Sequence, residues 1–131
     1  MIRLQDLREG DIVKVNDEGT ERVGTVLDVD RNNNMALVNN GIQEFWYAPN
    51  QIGALPLDEE QLMMLGFEKS QVDGGIKYGK GPFRILTPEP GNFSNLEVWY
   101  REDHRHFHTP LFVHELQNHY YQMTKVILSK A

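Results

Sequence analysis

Leu7-Arg8-Glu9-Gly10-Asp11-Ile12-Val13-Lys14-Val15 sets the fold of the first half of the chain. Gly10-Asp11 reads as a turn, and Ile12 to Val15 behind it as a strand. A second turn, Asp17-Glu18-Gly19, leads into Arg22 to Val29, which alternates. Val23, Thr25, Leu27 and Val29 share one face there, and Arg22, Gly24, Val26 and Asp28 the other. Gly24 inside that strand predicts a bend or bulge. Asp30 to Asn34 is a polar turn and Met35 to Val38 a third strand. Asn39-Asn40-Gly41 reads as a type I′ hairpin turn, whose central residues need positive φ, and Ile42 to Tyr47 follows as the fourth strand. Four short strands at such close spacing predict a small, strongly curved antiparallel sheet.

The run L-R-E-G-D-I-V-K-V, then R-V-G-T-V-L-D-V, then a hairpin ending in Phe45-Trp46-Tyr47, resembles SH3-like small barrels, including Tudor- and KOW-type modules. The resemblance covers residues 7 to 52 and implies a fold, not a ligand. Ala48 to Gly53, with Pro49, fits a loop or one turn of 3₁₀ helix.

The second half reads as helix, strands, helix and tail. Asp58 is an N-cap with Glu59 and Glu60 in the first turn, where the helix dipole favours acids. The helix runs to Leu65, with Leu62, Met63 and Leu65 as its apolar side and Gly66 as its C′ residue. Strands follow at Phe67 to Ser70, Ile76 to Tyr78, Phe83 to Leu86 and Leu96 to Arg101. Turns lie at Asp73-Gly74-Gly75 and Gly79-Lys80-Gly81, and a Pro/Gly-rich loop spans Thr87 to Asn95. Glu102 to His108 is either a strand or a loop. Thr109-Pro110 reads as an N-cap with proline at the first helical position. In that helix Val113, Leu116, Tyr120 and Met123 recur at core spacing, leaving His114, Gln117, Asn118 and Tyr121 as a polar face. Val126 to Leu128 is a short strand or an extended tail. The expected architecture is mainly β with α+β character: an N-terminal SH3-like small barrel (residues 1–54) packed against an α+β part (55–131) that ends in a C-terminal helix.

The strings P-L-D-E-E-Q-L-M-M-L-G-F-E-K (56–69) and V-H-E-L-Q-N-H-Y-Y (113–121) resemble a family of proteins from gut-type Bacteroidetes and their phages. On that pattern His114, Leu116, Gln117, Asn118 and Tyr120 are signature positions, whereas His119 departs from it, since the family is apolar there. The resemblance implies a fold and a phage or mobile-element setting, and no reaction.

Composition removes several function classes. Of 131 residues, 13 are Lys or Arg and 19 are Asp or Glu, for a net charge of −6. Neither half is basic, so the electrostatic footprint of a general nucleic-acid binder is missing. The absence of cysteine rules out disulfides, thiolate metal sites and cysteine nucleophiles. The N-terminus does not read as a signal peptide and no 18-residue apolar run occurs, so a cytoplasmic protein with no membrane contact is expected.

Three constellations remain. In an extended segment His104, His106 and His108 point to one side, about 7 Å between successive imidazoles. Three His ligands with an open fourth position make a catalytic zinc set, which Asp103, His114 or Glu115 would complete; a solvated polar loop is the competing reading. His114-Glu115 with His119 is not a zincin motif, because i, i+5 places the two histidines about 140° apart on a helix. His114, Gln117, Asn118 and Tyr121 form either a polar groove or a structural network. Phe45, Trp46 and Tyr47 form either an aromatic groove or part of the core. No nucleophile elbow, dinucleotide fingerprint or phosphate loop occurs, and no cofactor is implied. The leading expectation is a non-enzymatic module that binds another protein. A metal-dependent enzyme using His104, His106 and His108, and nucleic-acid binding through the barrel, are the alternatives.

Overall fold

The computed structural model describes residues 2–130. The chain is mainly β with α+β character, and divides into two compact units, Met1–Leu55 and Pro56–Ala131. Each unit carries one five-stranded antiparallel sheet.

The N-terminal unit comprises β1 (Ile12–Asp17), β2 (Thr20–Asp30), β3 (Met35–Asn39), β4 (Glu44–Tyr47) and β5 (Ile52–Gly53), with a 3₁₀ turn at Pro49–Gln51 before the last strand. The order is β4-β3-β2-β1-β5, the strand order of an SH3-like barrel. β5 is only two residues long, pairing Val15 with Ile52 and Lys14 with Gly53, and lies in the segment read from sequence as a loop. Leu7, Val13, Val15, Val26, Ala36, Val38, Tyr47 and Ile52 are buried together.

Two sequence expectations are corrected in this sheet. The register of β2 against β3 shifts between Val26 and Asp28, so the bulge lies beyond Gly24 rather than at it. The shift changes which parity faces inward. Val26, before it, is fully buried, and Val29, after it, packs against the same core, whereas Val23 is 38% exposed. Gly24 serves close approach instead: a Cβ there would lie 2.5 Å from Val38 Cγ1 and 2.8 Å from the Asn39 carbonyl oxygen. The turn after β3 is not type I′, because of Asn39, Asn40 and Gly41 only Gly41 has positive φ (93°). The loop is built around buried Asn40. Its Oδ1 accepts from the Ile42 and Gln43 amides, its Nδ2 donates to Tyr47 Oη at 2.9 Å, and β4 starts later, at Glu44.

The C-terminal unit comprises α1 (Glu59–Met64), β6 (Glu68–Val72), β7 (Gly75–Lys80), β8 (Phe83–Thr87), β9 (Leu96–Tyr100), β10 (Asp103–Phe107) and α2 (Val113–Thr124), with its strands in meander order. Asp58 caps α1 by accepting from the Gln61 amide at 2.8 Å. Gly66, at φ 90°, ends it: its amide donates to Met63 O, and the Phe67 amide donates to Leu62 O, the paired bonds of a Schellman motif. Leu62 and Leu65 are fully buried, but Met63 is 48% exposed and leaves the expected apolar side. β7 runs on through Lys80, so the turn falls at Gly81-Pro82 instead of Gly79-Lys80-Gly81.

One face of this sheet carries Ile76, Tyr78, Phe83, Ile85, Thr87, Leu96 and Val98, all buried. Both helices meet that face: Glu59 of α1 accepts from Tyr78 Oη and pairs with Lys69, and Tyr120 of α2 lies 4.6 Å, ring to ring, from Phe83. α2 starts three residues later than Thr109-Pro110 suggests, because Leu111 and Phe112 are held extended against Pro56 and Leu57. The Glu115 carboxylate accepts from the Phe112 amide and closes the helix start. Val113, Leu116 and Tyr120 are buried as their spacing predicts, with Met123 half-buried. After Lys125, at φ 63°, the described residues form no further strand, yet Leu128 is 1% exposed.

Candidate functional site

The three expected residues of β4 separate. Tyr47 is in the core, 1% exposed, its hydroxyl taken by Asn40, so it is a structural residue and not a ligand contact. Phe45 shares its side of the strand at the open edge of the sheet, 49% exposed, with its ring 5.4 Å from that of Tyr47. Trp46 stands on the opposite face, 38% exposed.

Cross-strand register builds a site around Trp46. Trp46 is opposite Leu37 on β3, and Leu37 is opposite Asp28 on β2. The row therefore runs from an indole through a partly buried leucine to a carboxylate. Asp30, two residues on, shares that face and lines the same cleft as Asp28 and Trp46, together with Arg31 and Asn32. The Asn33 side chain and amide both donate to Asp30 and hold its carboxyl below the usual carboxylate range. An exposed indole beside two carboxylates attracts a cation by ring quadrupole and charge together. Asp28 and Asp30 were not singled out in the sequence. The signal for them was the strand pairing, which depends on where the bulge falls.

The polar face expected on α2 is largely structural. His114 and Gln117 are buried, and Asn118 and Tyr121 are half-buried. The Gln117 side chain donates to the Leu128 carbonyl at 2.8 Å and ties the C-terminal tail to the helix. Gln117→Ala would leave that buried carbonyl without its donor, an expected cost of about 1–2 kcal/mol. A lowered melting temperature together with faster proteolysis of the tail would register it; an unchanged melt would show the tie to be dispensable.

The histidine run does not converge. His104 and His106 lie on β10, on the sheet face away from the helices, and His108 lies beyond the strand end. Each of the first two has its own partner. His104 stacks on Trp99 at 3.7 Å and 14° with Nε2 3.2 Å from Glu97, and His106 Nε2 is 2.6 Å from Asn95 Oδ1. The His106 and His108 rings are 4.1 Å apart. Among the described residues no three His, Asp or Glu side chains are grouped to hold a metal ion. The metal set expected at His104, His106 and His108 is thus corrected: alternation sets two imidazoles beside β9, where Trp99 and Glu97 engage His104 and Asn95, just before the strand, engages His106.

Between these histidines, Arg105 points to the helix side. It donates to His119 Nδ1 at 2.8 Å and to Gln122 at 3.1 Å, and the Phe107 ring lies 4.8 Å from that of His119. Burial, then the adjacent Arg105 charge, push the His119 imidazole below its ordinary range, against a smaller opposing pull from Glu115. The result is a neutral acceptor that joins β10 to α2. No helix among the described residues is long and apolar enough to cross a membrane. No protein-family model matches the chain, and no curated protein or solved structure is significantly similar to it.

Proposed function

We propose that the protein is a non-enzymatic interaction module whose N-terminal unit takes a basic, extended segment of a partner protein. The observation that carries this reading is Trp46, exposed on an edge strand with Asp28 and Asp30 on the same face. A Lys or Arg side chain laid over the indole gains a cation–π contact and a carboxylate partner at once. Leu37 supplies an apolar floor, and the second side of β4 is unpaired, since that strand ends the sheet. An added strand can dock there by main-chain hydrogen bonds. The acidic N-terminal half, with 5 basic and 9 acidic residues in the first 55, favours a basic partner at long range. The phage or mobile-element setting implied by the sequence resemblance is compatible with a small accessory protein of this kind.

An array of twelve-residue peptides of varied charge tests the reading. Binding is expected to select Lys- and Arg-bearing peptides, to weaken as salt rises, and to fall roughly tenfold in Trp46→Ala and in the Asp28→Asn, Asp30→Asn double variant. No charge preference, or equal binding by Trp46→Ala, would overturn it.

A further inference from the structure

A second cleft of the N-terminal unit, about 510 Å³, lies between the N-terminal 3₁₀ turn (Leu4–Asp6), the β2–β3 turn and the start of the second 3₁₀ turn. Ile2, Leu4 and Pro49 line it with apolar surface, and Arg3, Arg31 and Asn34 bring polar groups to it. Its size is that of a small-molecule site, with an apolar lining and a few polar groups.

The two turns that deliver the polar groups are held from within. Asp30 accepts from the Asn33 amide and side chain, which locks the β2–β3 turn, and Asn34 closes it at φ 55°. The locked turn presents Arg31 and Asn34 with no side-chain hydrogen bond or ion pair to any described residue. Arg3 differs. Its Nε is 3.0 Å from Asp6, so its charge is already answered in part. The guanidinium of the cleft that makes no ion pair is therefore that of Arg31, which also borders the Trp46 cleft with Asp28 and Asp30; it is a planar donor suited to a carboxylate.

We infer that this cleft binds a small organic carboxylate with an apolar body, the carboxylate on Arg31 and Asn34 and the body against Leu4, Ile2 and Pro49. A dianion fits less well, because Asp6 stands beside Arg3 and lowers the positive potential at that end. The inference does not rest on the peptide reading of the Trp46 cleft, although Arg31 borders both.

Titrating the ¹⁵N-labelled protein with 4-phenylbutyrate, and separately with 4-phenylbutanol, tests it. The carboxylate is expected to shift the amides of Leu4, Arg31 and Asn34 saturably, and the alcohol to bind at least tenfold more weakly. Arg31→Gln is expected to cost roughly tenfold, as loss of a charge-assisted contact does. Arg31 is exposed, so that variant should fold as the parent does. Trp46→Ala is expected to leave the titration unchanged, which separates this site from the peptide cleft. Absence of saturable shifts, equal affinity for the alcohol, or an unaltered Arg31→Gln titration would each overturn the inference.

Discussion

Replacing Gly75 by alanine is expected to destabilise the C-terminal unit by about 4 kcal/mol. Gly75 opens β7 at φ 140°, a conformation that side-chain-bearing residues rarely adopt. A Cβ there would also run into the Thr87 carbonyl oxygen and lie 2.9 Å from Pro88 Cα. Both obstacles are main chain, so no side chain can swing away. Relief would have to come from breaking the Val72–Gly75 and Ile76–Thr87 pairings that join β6, β7 and β8. For a unit of this size the loss is on the order of 20 °C in melting temperature. Gly79, four residues on in the same strand, is the control. A Cβ there meets nothing within 4 Å, and Gly79→Ala is expected to change stability by less than about 0.5 kcal/mol. If the two variants melt alike, the steric argument fails.

Asp11→Asn is expected to stabilise the protein above pH 7 and to abolish a pH dependence of the parent. Asp11 is 4% exposed, its carboxylate accepting from the Arg8 amide at 2.9 Å. Burial pushes its carboxyl up from 3.8 to about 6, against the opposing Arg8 amide bond and the Arg8 charge. A raised carboxyl means that the folded chain holds the proton more tightly than the unfolded chain. Between about pH 4 and 6 the folded state therefore binds more protons, and stability falls as pH rises through that window. The full difference is about 3 kcal/mol. Asparagine keeps an acceptor for the Arg8 amide and carries no charge to desolvate. Urea midpoints at pH 4 and pH 7.5 measure the effect: the variant's advantage should be small at the lower pH and large at the higher. An advantage equal at both values would show that Asp11 does not titrate as argued.

Local chemistry made several elements legible. The Asp58 cap and Gly66 stop bracket α1 because each acts on its own neighbours within four residues. Val113, Leu116 and Tyr120 are buried because a 3.6-residue period leaves them one side on which to lie. β10 was harder to read. Its hairpin turn has Arg101 at φ 55° and no glycine, so the usual turn signal is missing, and its D-H-R-H-F sequence has no apolar alternation. Phe112 replaced Thr109 as the start of α2 because an extended contact with Pro56, remote in sequence, held the intervening residues out of the helix.

The sequence by itself determined the class of the fold, the β-rich first half and the presence of both helices, since turn residues and hydrophobic period are local properties. It also excluded thiol chemistry, for want of cysteine, and the zincin motif, by spacing. Tertiary structure alone decided the site. A register shift between Val26 and Asp28 puts Asp28 and Asp30 on the face of Trp46, and one residue of slip would have turned them away. The same alternation sends Tyr47 into the core and gives His104 and His106 to separate partners. Which side chains meet across a sheet depends on pairings between strands distant in sequence, and no local pattern records them.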